Sequence, residues 1–203
     1  MMDKLSRSPQ QERSRLTTKR FVEAALKLLE KQTYAELSLV DLAKTAKRSV
    51  GTFYQRFGSK DEFLKILLTD FLEASIEEGV EKWRGRTPKD ILLLFLSDTY
   101  EHVRRNRNLW HAALERSAAQ PDFWSNFTDL RMQRLTLAVE AMEESRGKKL
   151  SPAEYRRLTV AIQVFNSVVN NQVINSPGPL SLDDDKFLPT MTKIALDVAG
   201  FGK

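Results

Sequence analysis

The chain has 203 residues, 32 Lys+Arg against 27 Asp+Glu for a net charge of +5, and no cysteine. That length suffices for one or two small domains with ordinary cores, while the lack of Cys excludes a disulfide framework and thiolate chemistry and fits a reducing cytoplasm. No apolar run is long enough to span a bilayer, so the chain is expected to be soluble, cytoplasmic and without a membrane partner.

The opening stretch, MMDKLSRSPQQERSRLTTKR, is polar and rich in cations. It lacks the apolar run of a secretory signal or anchor, and residues 1–15 are expected to form a basic flexible tail. Lys4 and Arg7 read as solvated. Arg13, Arg15 and Thr18 stand close enough to the first helix, VEAALKLLEK, to meet phosphates or reach into a minor groove.

Between Ser38 and Leu67 three short helical patterns follow one another with barely room for a turn. Leu39, Leu42, Ala43 and Ala46 form one apolar stripe, with Ser38 as the cap, Asp41 at the third position and a Leu37–Leu42 staple. Val50, Phe53, Tyr54 and Phe57 repeat the spacing after a cap at Ser49, with only Lys47 and Arg48 between the two helices. So short a connection makes the helices cross and leaves the outer face of the second one in solvent. That face carries Gly51, Thr52, Gln55 and Arg56. Thr and Gln there suit base edges in a major groove, and Arg suits guanine or phosphate. A third pattern opens with Ser59-Lys60-Asp61-Glu62, read as a capping box, and runs through Leu64, Leu67, Leu68 and Phe71 to about Trp83; Lys60 in its first turn is a candidate phosphate clamp.

Further helices are expected from Thr87-Pro88, from Asn106 or Asn108, from Pro121-Asp122, from Ser151-Pro152 and from about Asp184 to Ala199. Pro189 must fall near the first turn of the last helix or kink it. No alternating strand pattern occurs, so the expected class is all-α. Charge is uneven along this chain: residues 1–61 hold 13 Lys+Arg against 7 Asp+Glu, and residues 62–203 hold 19 against 20. A basic N-terminal domain joined to a neutral one is the distribution of a polyanion binder.

The run from about Phe21 to Leu68 resembles the DNA-binding domain of the tetracycline-repressor (TetR) family of bacterial regulators. The matching pieces are VEAALKLLEK, SLVDLAKTA, the recognition helix SVGTFYQRF, and Ser-Lys at the head of the fourth helix. The resemblance implies that Ser49, Gly51, Thr52, Tyr54 and Lys60 lie at operator DNA, Tyr54 and Lys60 on phosphates, with Phe53 and Phe57 in the core. Ser38, Lys47, Arg48, Gln55 and Arg56 complete the candidate DNA-contacting set. The chain departs from the family pattern at two turns, where Lys47 and Gln32 stand near positions usually held by Gly. Either these turns have another geometry or they carry the strain of a non-Gly residue at positive φ.

On this reading residues 16–68 form the DNA-binding domain and residues 69–203 a helical domain for ligand binding and dimerisation. In the family the last two helices pair with their copies in a second subunit. Ala161, Val164, Val168, Ala195 and Ala199 are therefore the candidates for a two-fold contact, the alternative being that all of them are intramolecular core. A two-fold dimer matches a pseudo-palindromic operator. The family binds an inducer between the helices of this domain, and Phe71, Phe95, Tyr100, Trp110 and Phe127 are the aromatic candidates, although aromatics at helical spacing more often form plain core. Gln163, Asn166 and Asn170 share one helix face and would need partners if buried.

No Gly-rich phosphate loop, HExxH, nucleophile elbow or His-based triad occurs, so neither an enzyme nor a cofactor is expected. His102 and His111 are too far apart in sequence for a metal pair on one helix and read as surface or ordinary core residues. The expected function is a ligand-responsive regulator, most simply a repressor. The alternative is a dimeric interaction module of the same fold without ligand-controlled operator binding.

Overall fold

The structure, a computed structural model, describes residues 9–202. Lys4 and Arg7 of the basic tail lie outside the described residues. Among the described residues there are nine α-helices, one 3₁₀ helix and no strand, the all-α class expected. The chain divides into two compact units between Leu67 and Leu68.

In the first unit, α1 (Pro9–Leu29), α2 (Leu39–Thr45), α3 (Val50–Phe57) and the head of α4 (Lys60–Trp83) close round four phenylalanines. Phe21, Phe53, Phe57 and Phe63 are all buried, and their ring centroids lie 4.6 to 6.5 Å apart. Most of these pairs meet edge to face, the arrangement that ring quadrupoles favour. Residues 9–15, expected in a flexible tail, are instead the first turns of α1. The physical reason is legible afterwards: Pro9 opens the helix, no glycine interrupts it, and Glu12 lies in the first turn, where it pairs with Arg15 at 3.0 Å.

The expected caps form at Ser38 and Ser49. Ser38 Oγ accepts from the N–H groups of Val40 and Asp41, and Ser49 Oγ accepts from that of Thr52 at 3.1 Å. At Ser59 only half of the expected box is made. Its Oγ accepts from the Glu62 N–H, but the Glu62 carboxylate is bound to Lys65 at 2.8 Å. The full reciprocal box forms further on, between Ser151 and Glu154.

The second unit holds the rest of α4, then α5 (Pro88–Arg105), α6 (Arg107–Ala119), the 3₁₀ segment Pro121–Phe127, α7 (Thr128–Arg146), α8 (Pro152–Ile174) and α9 (Phe187–Ala199). The single helix expected from Pro121 is thus a 3₁₀ turn followed by α7. Pro189 falls in the first turn of α9, where its missing N–H has no intrahelical partner to lose. α8 packs along α9, and α5 packs against both α7 and α9. Their core runs from Trp83, stacked on Phe95 at 6.0 Å, to Tyr100, stacked on Phe187 at 5.7 Å. The Tyr100 hydroxyl donates to the Leu182 carbonyl and so pins the α8–α9 connection.

Candidate functional site

α3 separates its faces cleanly. Phe53 and Phe57 point into the core, while Gly51, Tyr54, Gln55 and Arg56 are exposed and Thr52 is half-exposed. Thr52 Oγ1 shares a hydrogen bond with Ser49 Oγ at 2.9 Å, which fixes both hydroxyls at the start of the helix. The helix and turn before α3 carry exposed Lys44 and Lys47 and half-buried Arg48, and α1 carries exposed Arg15. Arg48 donates to the Lys47 carbonyl at 2.9 Å. Arg56 Nε donates to Thr18 Oγ1 at 2.8 Å, tying the end of α3 to α1. Both had been expected at DNA as independent contacts. The bond makes them a brace, and leaves the Nη groups of Arg56 as the part able to reach an anion.

Lys60 is held more closely than a surface lysine. Its ammonium donates to the Ala35 carbonyl at 3.2 Å and lies 5.0 Å over the Tyr34 ring, while the Tyr34 hydroxyl donates to the Lys60 carbonyl. Burial holds its pKa below the ordinary lysine value, with Asp61 opposing. One of its three N–H groups is engaged, so a preset cation with donors to spare sits at the head of α4.

The turn that aims α3 is closed by Lys47 at φ 54. Arg48 N–H donates to the Ala43 carbonyl at 2.9 Å and Lys47 N–H to that of Lys44 at 3.1 Å. This is the paired closure of a Schellman motif. Gly147 after α7 and Gly200 after α9 hold the equivalent place in the same pattern, so Lys47 keeps the glycine geometry without being glycine. The other departure resolves differently: no residue of the α1–α2 turn has positive φ, and nothing there requires Gly at Gln32. Relief of left-handed strain is worth about 1–2 kcal/mol, less about 0.5–1 for the freedom glycine loses on folding. Lys47→Gly is therefore expected to stabilise the first unit by about 0.5–1 kcal/mol in urea unfolding. Lys47→Ala keeps the strain and should not show that gain.

The second unit holds a partly open cavity of ≈ 390 Å³. Of the residues expected to line one, Phe71, Phe95, Trp110, Asn166 and Asn170 do so. Trp110 Nε1 donates to Asn170 Oδ1 at 2.9 Å, the partner that amide needed. Three expectations are corrected. Tyr100 is spent on Phe187 and Leu182, Phe127 is buried against Phe123, and Gln163 is exposed on the far side of α8. His102, read as a surface or core residue, stands in the cavity wall with Nε2 3.3 Å from Glu78. Sequence reasoning missed Arg134, whose Nη1 donates to Thr99 Oγ1 at 2.7 Å and Nη2 to the Phe95 carbonyl at 3.2 Å. The available signal was a cation on the apolar stripe of α7 that holds Leu130, Leu137, Ala138 and Ala141. Among the described residues no group of three or more acidic or histidine side chains could hold a metal, and no helix is long and apolar enough to cross a membrane.

The sequence profile of bacterial regulatory proteins of the tetR family matches residues 21–66, which takes in α2, α3 and the Lys60 head of α4. Residues 21–66 are a DNA-binding domain of the TetR family. The HTH-type transcriptional regulator HbdR of Aromatoleum sp. (strain CIB) is 35% identical over 66 residues, which are 32% of this chain and 29% of that protein. Solved structures share the fold at lower identity. FadR of Bacillus subtilis, crystallised with stearoyl-CoA, has a TM-score of 0.64 at 19% identity, covering 91% of this chain and 98% of that one. PfmR of Thermus thermophilus has a TM-score of 0.61 at 19% identity, covering 88% and 97%.

Of the positions expected at a two-fold contact between TetR-family chains, Ala161, Ala195 and Ala199 are buried within the chain between α8 and α9. They cannot also supply an outer surface. Val168 is half-buried and Val164 exposed; Val160, Ile174 and Tyr155 on α8 and Ile194 on α9 are large apolar residues that these two helices also leave open.

Proposed function

We propose that this protein is a cytoplasmic, homodimeric transcriptional regulator that binds a pseudo-palindromic operator through α3 and is released from it when a small apolar or aromatic molecule enters the cavity of the second unit. The observation that carries the reading is the division of α3, with a phenylalanine core on one side and Gly51, Thr52, Tyr54 and Gln55 on the other, between cations of α1, the Lys47 turn and Lys60. An exposed helix face of small and hydrogen-bonding groups fits a major groove, and the flanking cations fit its phosphates.

For the response to ligand, α4 supplies both Lys60 at its head and Phe71, Leu72 and Ser75 to the cavity wall. A ligand that binds one arrangement of α4 more tightly than the other shifts the population of DNA-competent dimers by that difference in affinity alone. Repression follows in its simplest form, since unliganded protein would occupy the operator. The structure of FadR with stearoyl-CoA supports the use of this fold to hold an organic ligand.

The test is fluorescence anisotropy of the protein with labelled DNA flanking its own gene, against shuffled DNA, at two salt concentrations. Native DNA should bind tightly and with steep salt dependence. Tyr54→Phe and Lys60→Ala should weaken binding to every sequence, Lys60→Ala also lowering the salt slope by about 1. Thr52→Ala and Gln55→Ala should change which bases are preferred, at about 1–3 kcal/mol for each lost base contact. Equal effects from all four would overturn the docking of α3, and equal binding to native and shuffled DNA would favour the interaction-module reading.

A further inference from the structure

The wall of the cavity carries charge of one sign. Its charged side chains are Arg131 and Arg134, with no Asp or Glu in a chain of 27 acidic residues, and His102 stands beside them in the lining. His102 is already matched to Glu78. Arg131 is exposed and lies 5.5 Å over the Trp124 ring. Arg134 is the enclosed one.

Its guanidinium stands 4.0 Å from the centre of the Phe95 ring, and its two bonded acceptors, the Thr99 hydroxyl and the Phe95 carbonyl, are both neutral. Nε is shut off from water and has no acceptor. One N–H on each Nη is also uncommitted, so three of its five donors are unspent. Burial pushes its pKa down to about 10, with the charge of Asp98 opposing. Asp98 does not line the cavity, and its Oδ1 is bound to Lys82 at 2.8 Å. A cation withdrawn from water with no anion in hydrogen-bond contact is an expensive arrangement unless an anion arrives.

We propose that the cavity takes an organic carboxylate on an aromatic or otherwise apolar body, with the carboxylate docked on the uncommitted Nη N–H groups of Arg134 and the body among Phe71, Trp110 and Trp124. This rests on the reading of the cavity as the ligand site. A carboxylate matches the planar fork of a guanidinium and its single charge matches the one enclosed cation. An apolar cavity of about 150 Å³ holds benzene, so ≈ 390 Å³ has room for an acid with one or two rings or a short chain.

The experiment titrates the full-length protein with phenylacetate, 3-phenylpropionate and 4-phenylbutyrate, and with the three corresponding primary amides, following tryptophan emission. Trp110 and Trp124 face the cavity and report occupancy directly. At least one acid should bind about tenfold or more tighter than its amide, the usual worth of a hydrogen-bonded charge. Arg134→Met should remove that preference while leaving amide binding in place, and Arg134→Lys should keep part of it. The unsubstituted protein decides the matter even if Arg134→Met does not fold. Amides that bind as tightly as the acids would overturn the anion and leave the ligand cavity standing, with Arg134 balanced from within by Asp98. Acids and amides that all fail to bind would overturn both.

Discussion

Phe53→Ala is expected to abolish DNA binding while leaving the cavity of the second unit able to bind its ligand. Phe53 is 0% exposed and stands at 5.0 to 5.6 Å from the rings of Phe21, Phe57 and Phe63, so truncation empties the centre of the cluster that joins α1, α3 and the head of α4. Loss of a buried Phe side chain costs about 3–5 kcal/mol. A unit of this size has a total stability of the same order, so the substitution is expected to unfold it at ordinary temperature. The three tryptophans, Trp83, Trp110 and Trp124, all belong to the second unit. Anisotropy should therefore show no binding to the native DNA and circular dichroism a partial loss of helix, while tryptophan emission and its response to ligand stay as in the unsubstituted chain. If emission changes together with DNA binding, the two units do not fold independently and the division at Leu67–Leu68 has no energetic meaning.

The helices of the first unit were legible because their signals are local. Ser38 and Ser49 are caps with Leu42, Ala43, Phe53 and Phe57 at helical spacing behind them, and each of these does what its spacing predicts. The start of α1 was missed because a polar run carries no apolar stripe. Its helicity rests on Pro9, Glu12 and the absence of glycine, which are weak signals beside hydrophobic periodicity. The Lys47 turn shows a different limit. Sequence identifies the position at which left-handed backbone is needed, but only the hydrogen bonds from Lys47 and Arg48 tell whether a lysine accepts it. Gln32 looked alike in sequence and is not in that conformation.

The cavity was half legible for a related reason. Aromatic periodicity gives the faces of helices, and several aromatic stripes compete for core and wall alike. Phe71 and Trp110 line the cavity while Tyr100 and Phe127, at equally good spacing, are packed away. Which outcome holds depends on pairs distant in sequence, such as Tyr100 with Leu182 or Trp110 with Asn170. Arg134 was overlooked because a lone cation in a helix is usually solvated, and only its neighbours on the stripe of α7 argue otherwise.

Val164→Glu separates the two readings of α8 and α9, core or two-fold contact, more sharply than any change at the buried alanines. Val160, Val164 and Ile174 are 43%, 38% and 41% exposed, lie on one side of α8 at i, i+4 and i+14, and are joined by Ile194 on α9 at 43%. Single exposed apolar residues need no explanation, but these four aliphatic ones on one pair of packed helices leave a face that a second copy of the chain would cover. A carboxylate at Val164 would be desolvated there and would meet its own copy across the two-fold axis, whereas in a monomer it would face water at little cost. The expected result is a folded monomer with unchanged thermal stability at low concentration. Its affinity for a full operator should fall by about 10²–10⁴, the advantage lost when the second recognition helix is no longer held beside its half-site. Affinity for half-site DNA should stay the same. Ala161→Leu makes the opposite case, because a 0% exposed alanine in the α8–α9 core has no room for three more carbons and should destabilise the chain by about 1–3 kcal/mol without selecting against the dimer. Light scattering and anisotropy on both variants settle it: a Val164→Glu protein that stays dimeric and keeps its operator affinity places the two-fold surface elsewhere than on α8.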